Sequence, residues 1–144
     1  MNFIIKHKWL FYLISFTWGL PMTLIGCIVS LVLLISKHKV YKFGNSWYFK
    51  VSDNWGGVNL GICFICGESD DTHHLKCHES GHGIQNLFMG FLFPFLVAIP
   101  SAVRYWYREL KYYRKNKEPK TDYDDIWFEG QATKLGVKHY GDCK

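Results

Sequence analysis

His78-Glu79-Ser80-Gly81-His82 is the stretch of this chain whose residue types and spacing can do chemistry. On a helix, positions four apart lie on one face with their Cβ atoms about 6 Å apart, so His78 and His82 can present two imidazole nitrogens to one metal ion. Imidazole suits zinc, which takes four ligands in a tetrahedron. Glu79 lies one position round from His78, where it can take a proton from an activated water without binding the metal itself. A third protein ligand is needed, and Glu129 in Glu129-Gly130-Gln131-Ala132 is the leading candidate. Small residues at 130 and 132 allow its helix to approach the first one closely. Asp124, Asp125 and His139 compete for the same role, and His74 shares the ligand face of the first helix.

Cys63 and Cys66, followed by Cys77 and His78, offer a rival structural zinc site. The apolar run around Cys63 and Cys66 reads as a strand, on which those two positions face opposite sides. The cysteine count is odd, at five, which does not look like a secreted disulfide framework and leans towards a reducing compartment.

The elements that must carry these residues are read from periodicity and breakers. His73 to Gly90 is expected to be a helix capped by Thr72. A charge-free run from Ile84 to Val103 starts inside it, and Pro94 is expected to break that run, with a second helix from Phe95 to Arg114. A polar linker, Asn116 to Lys120, leads to a third helix that starts at Thr121 or Asp122 and stops at Gly136, leaving a loosely held tail. Val40 to Phe43, Trp47 to Val51 and Val58 to Cys66 are rich in β-branched and aromatic residues and read as a small antiparallel meander. Turns are expected at Gly44-Asn45-Ser46 and from Asp53 to Gly57.

No charged residue occurs from Trp9 to Ser36, and lysines flank the run on both sides. As one helix at about 1.5 Å per residue it would exceed the roughly 30 Å bilayer core, so a transmembrane anchor is expected over residues 1–37, kinked at Pro21. The run is too long for a cleaved signal peptide. Leu24-Ile25-Gly26-Cys27 looks like a lipobox, but the chain stays apolar after Cys27, which argues against lipidation. Aromatics make up 18% of the 144 residues, and the formal charge of +5 is concentrated beside apolar runs. That distribution points to membrane flanks, and the chain carries no nucleic-acid-binding motif.

The expected fold is therefore an α+β membrane protein, with one N-terminal transmembrane helix, a β-meander and a helical zincin-like core over residues 38–144. If Ile84 to Val103 crossed the bilayer, His82 and Glu129 would lie on opposite sides, so a re-entrant or membrane-embedded hairpin broken at Pro94 is expected instead. The basic residues around Lys37 to Lys42 and Arg104 to Lys120 put this core in the cytoplasm by the positive-inside rule.

His78-Glu79-x-x-His82 with Glu129-x-x-Ala132 resembles the gluzincin peptidases, among them membrane-bound members that face the cytosol. The resemblance implies zinc held by His78, His82 and Glu129, with Glu79 as general base and a peptide or protein substrate; the short chain implies an open cleft, which suits a membrane-proximal segment. That family usually places Asp after the alanine, where this chain has Thr133. Arg104, Tyr123 and His139 are candidates for the oxyanion donor. The chain is also similar, over most of residues 15–136, to a widespread family of small bacterial membrane proteins, which implies a bacterial or phage origin but no activity. A non-catalytic membrane protein with a structural zinc site, or a pseudopeptidase acting as a binding module, is the alternative reading.

Overall fold

The computed structural model describes residues 2–52, 56–115, 117–119 and 121–141. Asp53 to Trp55 of one expected turn, Asn116 and Lys120 of the linker, and Cys143 lie outside them. Three helices, α1 (Asn2–Lys6), α2 (Lys8–Thr17) and α3 (Leu20–Ile35), precede four strands: β1 (Val40–Phe43), β2 (Ser46–Val51), β3 (Gly57–Asn59) and β4 (Cys63–Gly67). Then come α4 (His73–Met89), a 3-10 turn (Gly90–Leu92), a π-helical turn (Pro94–Ala98) and α5 (Ile99–Lys111). Two more 3-10 turns, Tyr113–Lys115 and Tyr123–Asp125, lead to α6 (Trp127–Tyr140).

The expected spanning helix over Trp9 to Ser36 does not form. Among the described residues no single helix is long and apolar enough to cross a membrane, and the chain is a small α+β domain of helices around a four-stranded mixed sheet. α2 and α3 meet at a bend of 102°. Pro21 does not kink a helix; it sits in the first turn of α3, where a missing backbone N–H goes unneeded. Gly19 at the bend is packed against Asn86 of α4, whose side-chain Nδ2 donates to Gly19 O at 3.3 Å. The Ile84–Val103 run is likewise broken, at Phe93, and the helices on either side are bent by 117°. The expected single transmembrane helix thus gives way to two bent helix pairs packed into one domain, the second of them broken beside Pro94, where the hairpin is expected to turn.

The sheet departs from an antiparallel meander. Its order is β1-β2-β4-β3, and β4 runs parallel to β2, with Trp47 opposite Cys63. The expected single strand Val58 to Cys66 turns back on itself at Leu60 to Ile62. Gly61 has φ of 81° there, which a side chain would resist, and its N–H donates to Asn59 Oδ1 at 2.8 Å. β4 is buried along its whole length, as suits a central strand covered on both faces. Cys63 and Ile65 face a cluster with Met22 of α3 and Phe93, while Phe64 and Cys66 face Tyr48 and Leu75 on the other side.

α6 does not stop at Gly136 but continues to Tyr140, so the expected loose tail from Val137 is helical up to there. Gly136 is an interior helix residue at the crossing with α4. A Cβ on it would lie 1.9 Å from Cys77 O, and one on Gly81 would lie 1.9 Å from Ala132 O. Two glycines, one from each helix, therefore let the backbones touch.

Two outcomes follow. In a helix interior Ala is favoured over Gly by about 1 kcal/mol, so a solvent-facing Gly136→Ala would stabilise the protein. At this crossing it should lower the thermal midpoint, by an overpacking cost of about 1–3 kcal/mol. A raised midpoint would mean the helices do not meet there. The second outcome concerns Asp71, which pairs with Lys50 at 2.5 Å and Lys76 at 3.1 Å, tying β2 to the segment before α4. Burial raises its carboxyl, but the two ammoniums outweigh that and leave it below the usual carboxylate range. The stabilisation should be present above the ordinary carboxylate pKa and fade as pH falls through the lowered folded value. Asp71→Asn should therefore narrow the gap between unfolding midpoints at neutral and acid pH.

Candidate metal centre

α4 and α6 bring His78, His82 and Glu129 together. Glu129 Oε2 lies 3.1 Å from His78 Nε2 and 3.0 Å from His82 Nε2, and the two Nε2 atoms are 3.2 Å apart. All three side chains are buried, Glu129 completely. This group can hold a metal ion. For bonds of about 2.0–2.1 Å at tetrahedral angles, neighbouring donor atoms sit roughly 3.3 Å apart, close to the three separations here.

The partners of the other ring nitrogens decide what the site offers. Gln85 Nε2 points at Phe128 O, which can only accept, at 2.8 Å, so Gln85 Oε1 is the atom facing His82 Nδ1 at 2.8 Å. His82 Nδ1–H therefore donates. The Thr133 hydroxyl donates to Asp124 Oδ2 at 2.8 Å, which leaves its lone pairs to accept from His78 Nδ1–H, also at 2.8 Å. With both Nδ1 positions protonated, each neutral imidazole presents an Nε2 lone pair to the Glu129 oxygen. Three such acceptors at this separation repel one another unless a cation lies among them.

In the absence of a metal ion, protons on the imidazoles take the cation's place beside Glu129. Burial raises the Glu129 carboxyl, but hydrogen bonding to His78 and His82 more than reverses this and holds it well below the usual carboxylate range. Burial would lower His78, and the Glu129, Glu79 and Asp124 carboxylates outweigh it and raise it. Glu79 behaves differently. It is buried, its carboxyl is raised chiefly by that burial, and its Oε2 has no hydrogen-bond partner among the described residues. It lines the same cleft of about 580 Å³ as the three metal-binding candidates. Strand β3 forms one wall, where a Cβ on Gly57 would lie 2.4 Å from Glu79 Oε1, and α5 forms the opposite wall with Ser101 and Ala102.

The remaining sequence candidates separate cleanly. Asp124 stands behind His78, bonded through Thr133, with its Oδ1 4.0 Å from His78 Nδ1. Asp125 is occupied in a capping box, where its Oδ2 accepts from Asp122 N at 2.9 Å. His74 lies exposed at the cleft, and neither it nor His139 joins the group. Cys63 and Cys66 bond to Gly26 O and Phe49 O respectively, on opposite faces of β4, so they do not form the rival zinc site. No disulfide joins Cys27, Cys63, Cys66 and Cys77. Arg104 Nη2 donates to Asp122 O and Tyr123 O, and Arg108 donates to Thr121 O, so α5 fastens the segment that carries Asp124. Tyr123 remains in the cleft, with its ring centroid 6.3 Å from that of His78. Sequence reasoning missed Gln85. Its signal was a polar residue three positions after His82 in an otherwise apolar run.

No protein-family model, no curated protein and no solved structure matches this chain. The class that the fold and site define is accordingly a small α+β domain with a buried His-His-Glu group, suited to a metal, at the bottom of a cleft.

Removing the support behind a ligand should be felt by the metal. Thr133→Val leaves His78 Nδ1 without an acceptor and should weaken metal affinity by roughly 10- to 100-fold, with Gln85→Leu doing the same through His82. Competition titration with a chromogenic chelator measures this; unchanged affinity in both variants would show that the imidazoles are not oriented through these partners.

Proposed function

We propose that this protein is a zinc-dependent peptidase, with His78, His82 and Glu129 as metal ligands and Glu79 as general base. The observation that carries the reading is the convergence of two imidazole Nε2 atoms and one carboxylate oxygen within 3.2 Å, with Glu79 Oε2 unpartnered among the described residues on the same cleft. Two imidazoles and a carboxylate suit zinc, and among the described residues no fourth His, Cys, Asp or Glu joins the group. A structural site would be closed by four protein ligands, so this one favours catalysis over the structural alternative.

Zinc, when bound there, supplies Lewis acidity that polarises a carbonyl and makes water a nucleophile at neutral pH. The chain's own residues do the rest. Glu79 accepts the proton from the attacking water and donates it to the leaving amine, and its raised carboxyl pKa suits both roles. Thr133 and Gln85 hold the imidazoles in the tautomer that faces the centre. β3 is the edge strand of the sheet and borders the cleft, so an extended peptide has backbone groups to pair with there. Tyr123 is the oxyanion candidate that lines the cleft, which Arg104 and His139 do not.

The same reading has the protein working at a lipid surface of a bacterial cell, facing the cytoplasm, on membrane-proximal peptides. Support comes from the large apolar side chains exposed on α3 and α5 and from the lysines and arginines beside them.

Glu79→Gln should keep one zinc per chain and lose peptide hydrolysis by at least 100-fold, the lower end of what a positioned general base contributes. His78→Ala should lose both. Metal analysis and cleavage of a casein-derived peptide mixture read the two properties separately. Loss of zinc in Glu79→Gln would make Glu79 a ligand, and full activity in it would remove Glu79 from the chemistry.

A further inference from the structure

α3 is built inside out for a helix facing water. It buries Thr23, Gly26 and Ser30 against the sheet, where Cys63 Sγ donates to Gly26 O at 3.4 Å and Ser30 Oγ bonds Cys63 Sγ at 3.3 Å. Its outer face carries Leu24, Ile28, Leu31, Val32 and Ile35, exposed by 54–73%. A solvated helix keeps its polar residues outward, so this face asks for an apolar neighbour. The helix has 16 residues, about 24 Å, which is short of the roughly 30 Å core of a bilayer. It can lie in one leaflet without crossing.

A polar pocket begins where α3 ends. Lys37 turns the chain with φ of 63°, and Lys37, His38, Lys39, Tyr41, Lys50 and Glu68 line a cavity of about 330 Å³. Three ammonium groups face one carboxylate within this lining. Lys50 is shared, since it also pairs with Asp71 at 2.5 Å and sits over the Tyr41 ring at 4.8 Å. His38 Nδ1 is buried and has no hydrogen-bond partner among the described residues. A buried polar atom of this kind calls for a ligand or a water to satisfy it. The cationic pocket directly follows the exposed apolar face, which is the order in which a phospholipid presents its phosphate and its chains.

We propose that this pocket binds the phosphate headgroup of an anionic phospholipid whose acyl chains lie along the outer face of α3. The proposal rests on the membrane location of the preceding reading and adds to it a specific headgroup site. It also gives a reason for basic residues to cluster at this end of the helix, because each lysine near an anionic surface adds to binding.

Flotation of the full chain, purified in detergent and diluted into vesicles, tests it. The wild type should bind vesicles of phosphatidylcholine mixed with phosphatidylglycerol more tightly than vesicles of phosphatidylcholine alone. Lys37→Ser with Lys39→Ser should lose about fivefold per lysine on the mixed vesicles and nothing on the neutral ones. Ile28→Asn with Leu31→Asn should lose binding to both, with circular dichroism reporting the fold. Equal wild-type binding to the two vesicle types overturns the headgroup site and spares the membrane location. Binding to neither overturns both, and a stable dimer in lipid-free buffer would then show that a second copy covers α3. Inorganic phosphate that protects the wild type and the Ile28/Leu31 variant equally from thermal unfolding, without vesicle binding, would make free phosphate the ligand and overturn the lipid. The wild-type comparison stands even where a variant fails to fold.

Discussion

The close crossing of α4 and α6 is the contact on which the site depends. Glu129 meets His78 and His82 only because Gly81 lies against Ala132 O and Gly136 against Cys77 O, with no room for a Cβ at either point. Glycine is costly in a helix interior, by about 1 kcal/mol relative to alanine. Here the cost is offset by burial of the whole interface and by the placement of a carboxylate between two imidazoles. Larger residues would separate the helix axes and draw the Glu129 oxygen away from both Nε2 atoms.

Burying that carboxylate and two imidazoles would be unfavourable without partners for each polar atom. For the imidazoles the domain supplies them from three directions, while Glu129 Oε1 stays without a partner among the described residues. Gln85 comes from α4 itself, Thr133 from α6, and Asp124 from the 3-10 turn before α6. That turn is held by Arg104 and Arg108 of α5, so the bend at Phe93 serves the centre. It swings α5 back over the cleft, where its small residues form a wall and its arginines fix the segment bearing Asp124. Thr133 accepts from His78 and donates to Asp124, so its hydroxyl links the imidazole to a carboxylate behind it.

Much of the site was legible in the sequence because helical spacing is a local property. His78, Glu79 and His82 lie on one element, Thr72 caps it as expected, and Pro94 marks the break that follows. Glu129 was legible through its small neighbours, which signalled a close approach. The fold was less legible, because its surprises are long-range. An uncharged run such as Trp9 to Ser36 has the composition of a spanning helix whether or not it bends, and the bend is fixed by Asn86, far away in the chain. The reversal at Gly61 was hidden in an apolar stretch that reads as one strand, and nothing local distinguishes parallel from antiparallel pairing of β4 with β2. Gly136 has the look of a helix stop, and only the presence of α4 beside it reveals a packing role.

The central claim is that two imidazoles and one carboxylate bind a single zinc ion and leave one position open. X-ray absorption at the zinc edge on the purified wild-type protein tests this most directly. The account predicts a four-coordinate ion with nitrogen and oxygen neighbours at about 2.0–2.1 Å, with two of them imidazoles. Sulfur in the coordination sphere, or a protein that binds no zinc at all, would contradict it.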